Sequence, residues 1–168
     1  LPILVQSIIA AEVGYADLAL RYFESSLYVD LANLHGNTSD GVHVASTGGV
    51  WNALVYGFAG MRDYNGFITF DPRLPDGWTG LSFPLTLRGT RVRVDLEATR
   101  IGFAVLEGGQ AELSVRGRTV VVSAAAEVWV PLEDQGPRLH GPLGSRGGER
   151  RPDGTLITAS VPHATLTG

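Results

Sequence analysis

Asp30 to Met61 reads DLANLHGNTSDGVHVASTGGVWNALVYGFAGM, and it changes character three times. It opens on the end of an amphipathic helix. It passes through a polar, turn-rich loop, His35 to Gly41. It then becomes an apolar run holding His43, Ser46, Thr47 and the adjacent glycines Gly48 and Gly49. The residues before it have a helical period, and those after it have the two-residue period of strands. The stretch is therefore the boundary between two architectures and the densest collection of reactive side chains in the chain.

On the N-terminal side, Leu4, Ile8, Ile9 and Val13 form a helical stripe closed by Gly14, the residue that best tolerates the left-handed C′ position. Next comes Tyr15 to Leu34, with Leu18, Tyr22, Leu27, Leu31 and Leu34 on one face and Phe23 beside them. Two helices joined at one glycine predict an antiparallel pair. A third helix is expected from about Val42 to Tyr56, capped from Thr38, Ser39 or Asp40. Gly48 and Gly49 inside it each cost about 1 kcal/mol relative to Ala. Close packing or a nearby ligand would explain such a cost.

On the C-terminal side, seven short runs predict strands: 66–70, 81–87, 90–96, 100–106, 110–115, 119–123 and 127–130. Val92-Arg93-Val94-Asp95-Leu96 is the clearest alternation. Gly-containing gaps such as Arg88-Gly89 and Arg116-Gly117 predict tight turns. The expected module is antiparallel with two sheets, and Pro84 marks an edge strand or a bulge. After Leu132 the chain is rich in Gly, Pro, Arg and Ser, which predicts a flexible tail.

Composition narrows the function. The 168 residues are 44% hydrophobic, and a net charge of -4 gives no general attraction to nucleic acid or anionic membrane. Arginine supplies all 13 basic residues, so lysine chemistry is excluded within the chain. With no Cys, disulfide and thiolate chemistry are excluded too. The four His lack metal-site spacing, and no apolar run approaches the ~18 residues of a membrane span. The first residues, LPILVQSIIAAEVG, begin in mid-pattern without a basic region; they read as part of a longer chain rather than a signal peptide.

Among reactive groups, His43 leads. It precedes Ser46 and Thr47 by one helical turn, and a His, two hydroxyls and glycine amides at a helix N-terminus suit an anion. A packing histidine is the alternative. Asp30, His35 and Asp40 could touch a sugar or cap the loop. Trp51 reads as core, Trp78 as the anchor of the proline loop 71–78, and Arg62, Arg73, Arg88, Arg91 and Arg93 as a solvated face. No catalytic triad spacing, phosphate loop or dinucleotide fingerprint is present.

Several motifs together resemble the end of glycoside hydrolase family 65. They are Asp30-Leu31, Asn37-Thr38, Gly41-Val42-His43-Val44-Ala45-Ser46, Gly48-Gly49-Val50-Trp51, Gly57-Phe58-Ala59-Gly60-Met61-Arg62 and Phe70-Asp71-Pro72-Arg73-Leu74-Pro75, with Trp78 and Leu81-Ser82-Phe83 after them. They come in order, and the resemblance as a whole covers about Leu1 to about Leu132. That family includes maltose, trehalose and kojibiose phosphorylases and related hydrolases. The resemblance implies an α+β chain in three parts: residues 1–59 as the last helices of an incomplete (α/α)6 barrel, 60–132 as a small antiparallel β-sandwich, and 133–168 as the flexible tail.

It also implies an inverting reaction on an α-linked disaccharide such as trehalose or maltose. A Glu general acid upstream of Leu1 would protonate the leaving oxygen, and phosphate or an activated water would attack the anomeric carbon. No catalytic residue would then lie in this chain, which would be inactive alone. His43 would contact phosphate, with Ser46, Thr47 and Gly48 as further phosphate-binding positions. No metal or cofactor is expected beyond phosphate as co-substrate. A cytoplasmic, homodimeric full-length enzyme is the accompanying expectation. The competing reading is a non-catalytic β-sandwich that binds carbohydrate or a partner subunit.

Overall fold

The computed structural model describes residues 2–31, 44–136, 138–139, 150 and 152–155. The expected capping loop 37–41, His35 and His43 lie outside the described residues.

Helix α1 spans Pro2–Val13 and α2 spans Ala16–Leu31. Gly14 has φ 104°, and its N–H donates to the Ala10 and Ala11 carbonyls at 3.1 and 3.2 Å. The Tyr15 N–H donates to Ala10 O at 2.8 Å, which closes the helix as the glycine predicts. The buried face is not the expected stripe. Leu4, Ser7, Ala10 and Ala11 are buried, whereas Ile9 and Val13 are about half exposed. Small residues bring α1 against Ala19, Tyr22, Phe23 and Ser26 of α2, and the Ser7 hydroxyl donates to Ala19 O at 2.8 Å across the pair. Close approach selects Ala and Ser, and the larger Val5, Ile9 and Val13 are left on the other side.

Helix α3 is Val44–Asn52 and continues as a π-helical turn, Ala53–Phe58. The Ala59 N–H reaches Leu54 O at 2.9 Å, the five-residue spacing of that turn. Ala53, Val55, Gly57 and Phe58 are all buried there.

Eight strands come next: β1 Met61–Tyr64, β2 Phe67–Phe70, β3 Leu81–Leu87, β4 Thr90–Leu96, β5 Arg100–Glu107, β6 Gln110–Val115, β7 Arg118–Ser123 and β8 Val128–Pro131. They form two four-stranded sheets, ordered β1-β2-β6-β7 and β3-β4-β5-β8. The pairing is mainly antiparallel, but β2 runs parallel to β6, with Ile68 opposite Leu113, which departs from the expected all-antiparallel module. Pro84 lies on the edge strand β3 with its side exposed, as its missing N–H requires.

The inner faces of both sheets meet in one core, where Phe70 and Phe103 lie 5.3 Å apart between centroids. Fully burying such a side chain contributes roughly 1.5–3 kcal/mol. Val55 of the π-helical turn and Ala59 just after it belong to this core, so the helices are rooted in the sheets. Trp78 bridges the two parts. It packs edge-on against Phe23 at 5.9 Å and Phe58 at 5.4 Å, and it also borders the sheet core. It thus holds the proline loop to the helices as well as to the sheets.

The crossing from helix to strand is fixed at Gly60. It has φ +63°, and a Cβ there would meet Asp71 O at 1.9 Å. In return the Asp71 N–H donates to Gly60 O at 3.1 Å and the Arg73 N–H to Phe58 O at 2.6 Å. The start of the expected tail is also built in. Gln135 is buried; its Oε1 accepts from the Leu74 N–H at 2.7 Å, and its Nε2 donates to the Glu97 and Ala98 carbonyls. Arg138 pairs with Asp76 at 2.9 Å, and the Leu139 N–H donates to Gly14 O at 2.8 Å. Residues 133–136, 138 and 139 are therefore a strap across the helix–sheet junction rather than a free tail, because Gln135 and Arg138 satisfy backbone groups that the proline loop leaves open.

Candidate functional site

The sequence places the chemistry at the start of α3. The structure describes the backbone from Val44 onward, with Val44 77% exposed. Thr47 and Gly48 are exposed; the side chain of Ser46 lies outside the described residues, as does His43. Thr47 is not packed against the sheets, so its hydroxyl is open to a ligand. The first turn of an α-helix carries N–H groups with no intrahelical partner and the positive end of the helix dipole, a combination that favours anions.

The two glycines separate. A Cβ on Gly49 would lie 2.2 Å from Leu4 Cδ1, so Gly49 is buried by the approach of α1. A Cβ on Gly48 would meet nothing within 4 Å. Gly49 thus has a packing reason, and Gly48 has none among the described residues. Trp51, read from the sequence as core, is 41% exposed and touches Tyr56 edge-on at 6.4 Å. Val5, Ile9, Val13, Leu27 and Tyr28 are also more than a third exposed, so the helices present apolar surface outward.

A second polar concentration lies at the helix–sheet junction, where sequence reasoning assigns only solvated arginines. Arg62 donates to the Tyr56 and Met61 carbonyls at 2.6 and 2.7 Å and pairs with Glu12 at 2.9 Å. Arg73 grips Asp71 with two bonds of 2.7 and 2.8 Å. Arg116 reaches Asp71 at 2.8 Å and Asp134 at 2.6 Å. Partial burial pushes the Asp71 carboxyl up, but its bonds to Arg73 and Arg116 outweigh this and hold it below the usual carboxylate range. The Arg116 bond likewise lowers Asp134. The signal that could have found this network is the Phe70-Asp71-Pro72-Arg73 run, because a charged pair beside a proline in a buried loop needs a structural partner. Among the described residues no group of three His, Asp or Glu is arranged to hold a metal.

Comparison with known proteins bears on both regions. The model of the glycosyl hydrolase family 65 central catalytic domain matches residues 1–52, and that of the family's C-terminal domain matches residues 61–122. The chain belongs to glycoside hydrolase family 65. An uncharacterised glycosyl hydrolase of Mycobacterium leprae is 36% identical over 92% of this chain and 20% of that protein. The α,α-trehalose phosphorylase of Thermoanaerobacter brockii is 43% identical over 64% of this chain and 14% of the enzyme. A solved structure from the human microbiome, assigned as a kojibiose phosphorylase, superposes with a TM-score of 0.69 at 22% identity, over 77% of this chain and 18% of that one. The structural likeness supports the α+β arrangement of helices followed by two sheets. The chain spans a fifth or less of the length of these relatives.

Proposed function

We propose that this chain is the C-terminal part of an inverting α-glucoside phosphorylase or hydrolase acting on an α-linked disaccharide such as trehalose or maltose. Its helical part, residues 1–59, contributes the last helices of an (α/α)6 barrel, and residues 60–132 form the β-sandwich beside it. In this reading α3 is a barrel helix whose N-terminus faces the phosphate or water position. His43, Ser46, Thr47 and Gly48 contact phosphate there. The general acid, a Glu, belongs to the part of the enzyme outside this chain. Disaccharide and inorganic phosphate are the substrates, no further cofactor takes part, and the enzyme works in the cytoplasm as a homodimer.

The observation that carries the reading is the pairing, on helix α3, of an exposed Thr47 with an unfilled space at Gly48. It lies inside the segment that matches the family's catalytic domain. A helix that only docked a binding module would gain from a side chain at Gly48, because glycine there weakens the helix. The outward apolar faces of α1 and α2 support the same reading, since barrel helices bury both a partner-facing and a neighbour-facing side.

The test uses the full-length enzyme and the 168-residue chain side by side. With trehalose or maltose and phosphate, the full-length enzyme should release glucose 1-phosphate, or glucose alone if water is the nucleophile. The 168-residue chain should release neither. Turnover by the isolated chain would overturn the assignment of the acid to the rest of the enzyme. In the full-length enzyme, His43→Ala should raise the KM for phosphate at least tenfold, about 1.4 kcal/mol of lost binding. An unchanged phosphate dependence would remove His43 from the site.

A further inference from the structure

A groove runs between the helices and the outer face of the β1–β2 ribbon, with a cavity volume of about 140 Å³. Glu12 of α1 and Gly57 of the π-turn form one wall. Arg62, Tyr64 and Thr69 form the floor, and Asp71 with Arg73 closes one end. Strand alternation explains the set. Met61, Ile68 and Phe70 turn into the core, so Arg62, Tyr64, Phe67 and Thr69 share the opposite face.

Three properties of this groove bear on what it could hold. Tyr64 is 64% exposed and Phe67, its direct cross-strand neighbour, is 44% exposed. The two adjacent rings form a small contiguous apolar surface, the kind of patch that a ligand or partner can cover. The hydroxyls of Tyr64 and Thr69 have no hydrogen-bond partner among the described residues. The charges are balanced within the groove: Arg62 pairs with Glu12, and Arg73 takes Asp71 in a two-bond grip. An anion would find both cations already neutralised, and a cation would find both carboxylates taken. What remains is a polar, charge-balanced lining with fixed acceptors and donors beside aromatic faces.

We infer that this groove is a binding site for a neutral polyhydroxylated ligand, an α-glucan or oligosaccharide chain, separate from the disaccharide site at α3. A sugar ring presents apolar C–H groups on one face and hydroxyls around its rim. Tyr64, with Phe67 extending the surface, receives the C–H face. Thr69, the outer oxygen of Glu12 and the Arg62–Glu12 pair receive hydroxyls. The choice of an α-linked chain rests on the proposed disaccharide specificity; the polyhydroxylated class rests on the groove alone.

The test is native electrophoresis of the full-length enzyme through gels containing soluble starch, with hydroxyethylcellulose gels as the β-linked arm and saturating disaccharide in both to occupy the catalytic site. The wild-type enzyme should be retarded by starch. Tyr64→Ala should weaken retardation about tenfold and Thr69→Val about threefold, magnitudes expected for losing an aromatic anchor and one hydroxyl contact. Disaccharide turnover should be unchanged in both. Circular dichroism checks that each variant is folded, and Thr69→Val keeps the branched shape if Tyr64→Ala does not fold. Retardation by hydroxyethylcellulose alone would keep the groove and overturn the α-linked choice. No retardation in either gel, or equal retardation of wild type and variants, would overturn the groove. Normal retardation with no disaccharide turnover by the wild type would instead count against the proposed reaction.

Discussion

At the scale of single residues, Gly48 and Gly49 show how much a dipeptide can hide. Helix propensity treats them alike, and only the neighbouring helix distinguishes them. Gly48→Ala adds a methyl to open space and should stabilise the chain by about 0.5–1 kcal/mol. Gly49→Ala drives a methyl into Leu4, which is 2% exposed and has little room to turn. Overpacking costs about 1–3 kcal/mol, which exceeds the propensity gain, so a net loss of about 1 kcal/mol is expected. Urea denaturation of the two variants measures the opposite signs; equal shifts would contradict the packing role given to Gly49. The proposed role of His43 rests on the motifs around it, because a histidine beside a loop looks the same in a core and in a site.

Asp71 gives the residue-scale pH dependence. Its folded-state pKa is depressed by Arg73 and Arg116 against the opposing effect of burial. Such a group contributes stability that is present above its unfolded pKa, about 3.9, and is lost as pH falls through the lower folded value. The junction should therefore weaken as the medium is acidified below about pH 4. In Asp71→Asn this increment of acid sensitivity should disappear, while stability at neutral pH falls because Arg73 and Arg116 lose their shared partner. Acid titrations followed by tryptophan fluorescence test this through Trp78, which sits at the junction. Identical acid profiles for the two proteins would refute it.

At the scale of elements, legibility depends on which force chooses the buried face. Strands β3 and β4 follow from alternation, since each has one wet and one dry side. The face of α1 departs from its apolar stripe because close helix packing favours Ala10 and Ala11 over Ile9 and Val13, and hydrophobicity patterns rank them the other way. β1 escapes the pattern for a similar reason: Met61-Arg62-Asp63-Tyr64 places only Met61 in the core. The parallel β2–β6 pairing is a long-range choice that no local pattern carries. The strap after Leu132 has the composition of a tail, and its role lies in hydrogen bonds that composition does not reveal. Ending the chain after Leu132 removes Gln135 and Arg138, leaving the buried Leu74 N–H without its acceptor. An unpaired buried group costs about 1–3 kcal/mol, and the Arg138 ion pair and carbonyl bond go with it. A loss of roughly 2–4 kcal/mol is expected, read as a lower urea midpoint. An unchanged midpoint would show the strap to be passive.

At the scale of the whole molecule, the apolar stripe on α1 tests the proposed barrel by a reversal of sign. Val5, Ile9 and Val13 recur every four residues and are 54%, 51% and 47% exposed. On the 168-residue chain this face meets water, so the chain should self-associate at high concentration, driven by burial of the stripe. Ile9→Lys should then reduce the mass measured by light scattering and leave the unfolding midpoint of the chain nearly unchanged. In the full-length enzyme the same stripe would lie against other barrel helices. There Ile9→Lys would bury an unpaired ammonium and should lower stability by several kcal/mol. A docked, non-catalytic module makes a different demand, because its outward face would remain wet in both proteins and the substitution would be harmless in both. The pair of measurements therefore separates a barrel helix from a surface helix without using the reaction at all.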